Sequence, residues 1–104
     1  MARMLPAEKG SNFYFETYQL IADIYYGQKR YDYVIYYMKP LLDEPKLHPS
    51  NRYKTCMVIG KSYLAKGDQA NALKYFREAL DAGKKVPYKY NYSEAEKYIK
   101  GLTK

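Results

Sequence analysis

Residues 53–86, YKTCMVIGKSYLAKGDQANALKYFREALDAGKKV, decide how this chain folds. Cys56, Ile59, Gly60, Tyr63 and Leu64 recur at helical spacing and define one buried stripe. Lys66-Gly67-Asp68 then stops the helix, with glycine taking the left-handed closing position and aspartate capping the next helix. Ala72, Leu73, Phe76, Ala79 and Leu80 form a second stripe that ends at Gly83. Two amphipathic helices joined by so short a turn fold back on each other, so the stretch predicts an antiparallel helical hairpin.

Working outward, the same pattern occurs a second time. Ile21, Ala22, Tyr25, Val34, Ile35, Met38 and Leu42 precede Ile59, Gly60, Tyr63, Ala72, Leu73, Phe76 and Leu80 by one constant offset. A constant offset means one structural unit built twice. Tyr18, Ile21, Ala22 and Tyr25 place a first helix at roughly 12–28, with Ser11 as its expected N-cap. A short Gly27-Gln28-Lys29-Arg30 connection leads to a second helix carrying Val34, Ile35, Met38, Leu41 and Leu42. Pro40 lies inside that pattern and lacks an amide donor, so an irregular last turn is expected there. Residues 43–50, with two prolines, read as a loop, and Ser50 is the expected cap of the third helix. After Pro87 and the Tyr88–Tyr92 stretch, Ser93 and Glu96 have the spacing of a capping box. The fifth helix then buries Ala95, Tyr98, Ile99 and Leu102.

Small residues one turn before a tyrosine recur at Ala22, Gly60 and Ala95. A missing side chain lets a neighbouring helix approach, and the tyrosine fills the space beyond the contact. Glycine in mid-helix costs roughly 1 kcal/mol against alanine, so Gly60 requires close packing in return. The expected fold class is all-α, about five antiparallel helices in stacked hairpins.

The 104 residues suit one domain. No apolar run is long enough for a membrane helix, and Met1–Pro6 lack the apolar core of a secretion signal. A single cysteine, Cys56, fits a reducing compartment, so a cytoplasmic or nuclear location is expected. Charge is uneven. In residues 1–48, Arg3, Lys9, Lys29, Arg30, Lys39 and Lys46 balance Glu8, Glu16, Asp23, Asp32, Asp43 and Glu44, so the net +7 belongs to residues 49–104. The 15 tyrosines are too many for so small a core, and some must lie at the surface.

The pattern resembles the tetratricopeptide repeat, a 34-residue helix–turn–helix unit. Ile59-Gly60 looks like the family's large-small pair, Tyr63 like its first-helix aromatic, and Gly67-Asp68 like its turn. Ala72, Phe76 and Ala79 are similar to its small-aromatic-small face. The first unit is looser, with Val34, Met38 and Leu41 at those positions. The resemblance implies a short superhelix: an arm at 1–14, repeat 1 at 15–48, repeat 2 within 49–86 and a capping helix at 87–104. Four residues beyond the usual 34 enlarge the 43–50 loop. Repeats of this family need stacked neighbours, so so short an array either belongs to a longer one or completes its stack by pairing.

No catalytic constellation is visible. His48 is the only histidine and reads as a solvent-facing loop residue, while Cys56 reads as a small core residue without a base to activate it. Metal clusters, calcium loops and phosphate loops are missing from the sequence, so neither an enzyme nor a cofactor is expected. The resemblance instead implies a protein-binding scaffold or adaptor, a subunit of a larger complex. Its inner groove would be formed by first-helix residues Glu16, Gln19, Asp23 and Tyr26, then Lys54, Met57, Lys61 and Leu64. The family's carboxylate clamp is not expected, because Gln19, Asp23 and Val58 replace its lysine and asparagines. A mixed groove, acidic at one end and basic at the other, suits a segment of alternating charge. Tyr33, Tyr36 and Tyr37 form a second candidate contact surface, for a partner or a second copy of the chain, unless the N-terminal arm with Met4 and Leu5 covers it. The alternative function is nucleic-acid binding through the basic, tyrosine-rich C-terminal half, where Lys84, Lys85, Tyr88, Lys89, Tyr90 and Tyr92 interleave cations and rings. Such binders usually array their rings on a sheet and no sheet is expected, so the protein partner takes precedence.

Overall fold

A computed structural model of the chain describes residues 12–45 and 47–103. The expected Ser11 cap and residues 1–11 of the arm lie outside the described residues. Helix α1 spans Asn12–Gly27, α2 Tyr31–Met38, α3 Pro49–Ala65, α4 Gln69–Lys84 and α5 Ser93–Leu102. Residues 12–14, assigned to the arm by the sequence, thus open the first helix. The described residues contain no strand. Two hairpins, α1–α2 and α3–α4, stack side by side, and α5 closes the C-terminal end against α4. The overall extents of 47 × 34 × 19 Å fit a slab two helices thick.

The hairpin turns are copies. Arg30 N donates to Tyr25 O at 2.9 Å and Lys29 N to Tyr26 O at 3.0 Å; Asp68 N and Gly67 N repeat both bonds to Tyr63 O and Leu64 O at the same distances. This pair of bonds needs a left-handed residue between them. Gly67 supplies it at φ 87°, whereas the first turn forces Lys29 to φ 62°. Asp68 caps α4 by accepting from Asn71 N, and its carboxyl is held below the ordinary range by the Asn71 side chain and then the Asn71 amide. Pro40 ends α2 as expected, turning Lys39–Asp43 into a 3₁₀ turn.

Two caps differ from the expectation. Ser50 does not cap α3; Pro49 takes the first helical position and His48 Nδ1 accepts from Ser50 N at 3.1 Å. The ring is half-buried and stacks on Tyr88, 6.0 Å between centroids, so it is not a solvent-facing loop residue. The Ser93–Glu96 capping box does not form either. Asn91 Oδ1 accepts from Ser93 N and Ser93 Oγ at 3.0 and 2.7 Å, closing a local turn that starts α5 one residue earlier.

Phe76, Met38, Leu41, Ile59 and Val34 are the largest fully buried apolar side chains, and they run through both hairpins as one core. Five of the seven matched pairs keep the same degree of burial; Ile35 is buried where Leu73 is half-buried, and Ile59 is fully buried where Ile21 is half-buried. Ile59 is enclosed within the stack, whereas Ile21 sits on the helix at its N-terminal end.

Candidate partner-binding surfaces

On the inner face, Glu16, Asp23 and Lys54 are exposed and Gln19, Lys61 and Leu64 half-buried. Gln19 Nε2 donates to Asp23 Oδ1 at 3.1 Å, and Gln19 Oε1 is a buried acceptor without a hydrogen-bond partner. Tyr26 packs edge-on against Tyr31 at 5.3 Å. Burial raises its phenol above the ordinary value; Tyr31 adds to this, and the positive charge of Lys61 opposes it. Of the groove residues, Tyr26 on α1 and Lys61 on α3 lie near enough for charge to act between them.

Met57 is a correction. It is 3% exposed and belongs to the core, because α3 lies between α1, α2 and α4 and keeps little free surface. Lys61 is also less available than its sequence position implies. Its ammonium pairs with Glu94 at 2.9 Å and sits 5.9 Å over the Tyr98 ring, so α5 already takes up part of the basic end. Sequence reasoning missed this contribution from α5. Leu64 shares an open cleft of about 450 Å³ with Glu94, Lys97, Tyr98, Gly101 and Leu102. The signal was present in the Ala95-x-x-Tyr98 spacing, which copies Gly60-x-x-Tyr63 and marks α5 as a third helix of the same kind.

The tyrosine surface divides. Tyr33 and Tyr36 are 48% and 72% exposed, whereas Tyr37 is half-buried and stacks on Tyr25, 5.8 Å apart and 4° from parallel. Tyr37 is thus a structural ring, not a free contact residue. Its counterpart one unit later makes the same pair: Tyr63 and Tyr75 stack at 5.7 Å and 16°. The two hairpins thus share a ring pair as well as a turn.

That shared anatomy has a family counterpart, for residues 53–82 match the family model for the tetratricopeptide repeat. This segment is similar to a tetratricopeptide repeat. Neither a curated protein nor a solved structure matches the chain. The match lies within the second hairpin, and the all-α fold of the described residues agrees with a stack of tetratricopeptide-repeat type.

Chemistry around the repeat is sparse. Among the described residues no group of three or more His, Cys, Asp or Glu side chains could hold a metal, and no helix is long and apolar enough to cross a membrane. Burial pushes the Cys56 thiol up to about 12. The folded state holds its proton more tightly than an unfolded chain does, so this group adds stability below about pH 9 that is lost as pH rises toward 12. Native Cys56 should therefore resist a disulfide reagent at pH 8 and react at an ordinary thiol rate in urea. Fast labelling without denaturant would contradict its burial.

In the basic C-terminal stretch, two of three rings are committed internally. Tyr90 meets Tyr53 edge-on at 5.4 Å, and Tyr92 fills the space beside Gly83, while Tyr88 is exposed on its stack with His48. Lys85 pairs with Asp81 at 3.1 Å. This leaves little of the aromatic ladder that single-stranded nucleic acid requires.

Proposed function

We propose that this chain is a non-catalytic scaffold that holds a segment of a protein partner along the face of α1, α3 and α5, and so joins it to a larger assembly. The family is generally a protein–protein interaction motif, which supports the coarse form of the reading. The finer form rests on one observation. The charge of Lys61 on α3 acts on the Tyr26 phenol of α1, the helix whose exposed Glu16 and Asp23 leave an acidic edge. With Lys61 partly neutralised by Glu94, the partner segment should carry basic groups for Glu16 and Asp23 and few acidic ones.

Exchanging Asp23→Lys and Lys54→Glu reverses two exposed charges without touching the core. Affinity capture followed by mass spectrometry should lose a stoichiometric protein partner with this variant and retain it with Tyr36→Ser. A partner held equally by both variants would exclude this face.

A further inference from the structure

We infer that the N-terminal end of the stack is a self-association surface, where α1 and α2 of one copy pack on α1 and α2 of a second copy about a two-fold axis. This surface is separate from the groove and does not depend on the groove reading.

The inference starts from the repeated ring pair. Around Tyr63 and Tyr75 the preceding hairpin closes over the rings: Lys39 places its ammonium 5.6 and 5.8 Å from their centroids, and Tyr75 is 7% exposed. Around Tyr25 and Tyr37 the described residues supply no such neighbour, and Tyr37 is half-buried. At about 100° per residue, α1 turns from Ala22 in the core to Tyr18 and Tyr25 against α2, and then to Ile21, Ile24 and Leu20. Ile24 and Leu20 are 53% and 63% exposed. On α2, Tyr33 touches Tyr25 at 5.2 Å, and Tyr36 touches Tyr37 at 5.2 Å. Leu20, Ile24, Tyr33 and Tyr36 thus continue the ring pair outward as one largely apolar end face. It exposes on the order of 400 Å², the size of a monomer's largest apolar patch, which is often a contact site. Such an area is about half of one partner's share in a stable interface, the part usually apolar, with a polar rim completing it.

Charge selects the occupant. Residues 1–48 balance their charges, whereas residues 49–104 hold the whole +7. Two copies meeting through α1 and α2 join their neutral halves and keep their basic halves apart. A head-to-tail contact would instead seat this face on α5, whose exposed Glu94, Glu96, Lys97 and Lys100 would have to be stripped of water. Two-fold closure avoids that cost and forms a finite dimer where head-to-tail growth would form a fibre.

Light scattering of the full chain over a concentration series tests this. The mass should rise with concentration toward twice the 12.3-kDa chain mass. Leu20→Glu with Tyr36→Glu sets like charges against each other across the axis and should hold the mass at one chain, with the helical circular dichroism signal unchanged. If that pair loses helix, Tyr36→Ser at the most exposed ring should still weaken the dimer at least tenfold. A wild type that stays at single-chain mass throughout overturns the inference, as does a dimer indifferent to these exchanges. A wild type at single-chain mass whose melting temperature the Leu20→Glu/Tyr36→Glu exchange lowers would assign the face to a segment of the same chain, and overturns it as well.

Discussion

Phe76→Ala should unfold much of this protein at physiological temperature. The ring is fully buried, stacks on Tyr98 at 4.5 Å and 10°, and packs against the bare backbone of Gly60. Truncating such a side chain costs about 3–5 kcal/mol, and the lost ring pair adds roughly 0.5–1.5 kcal/mol. Small domains have only about 5–15 kcal/mol in total. Because Tyr98 rests on this ring, α5 should loosen with the core and disturb the Leu64 cleft. Urea titration followed by circular dichroism checks the loss; a midpoint shift worth less than about 1 kcal/mol would contradict the packing described.

Gly60→Ala should also destabilise, against the usual rule. Alanine in mid-helix ordinarily gains about 1 kcal/mol over glycine. Here an added Cβ would stand 2.8 and 2.9 Å from Phe76 Cε1 and Cδ1. The ring is fully buried and stacked on Tyr98, which leaves it little room to shift. Overpacking of this kind costs about 1–3 kcal/mol, enough to reverse the sign of the propensity gain. Gly27 is the internal comparison, since a Cβ there meets nothing within 4 Å. A double-mutant cycle with Phe76→Leu should show the two sites coupled, the smaller side chain making room for the methyl group. Equal stabilisation by Gly27→Ala and Gly60→Ala would refute the close approach.

Gly60 also marks what could be read without coordinates. A glycine at that point of an apolar stripe already implied a helix pressed against it, and the 38-residue offset located both hairpins and the core. Caps were harder. Ser50 and Ser93 have the right chemistry, but proline at the first helical position moved the first cap to His48, and the Asn91 turn drew Ser93 into the helix behind Tyr92. Capping depends on local torsions that spacing does not encode. Exposure on the proposed groove face was not legible: Met57 falls in that register, yet α3 is enclosed by three neighbours and buries it. Tyr37 could have been placed correctly, since the offset pairs it with Tyr75 and pairs Tyr25 with Tyr63. What hid this was the number of tyrosines, which made every ring look like surplus surface.

The left-handed lysine has a kinetic consequence. Lys29 holds, with a full side chain, the backbone conformation that glycine takes in the second turn, at a cost of roughly 1–2 kcal/mol. It precedes an eight-residue helix cut short by Pro40, in the hairpin whose outer face has no described neighbour. Local opening should therefore be graded along the molecule, with α1 and α2 exchanging their amide hydrogens sooner than α3, α4 and α5. A second copy bound at that end would slow exchange chiefly in the weaker hairpin, and would make the melting temperature rise with protein concentration.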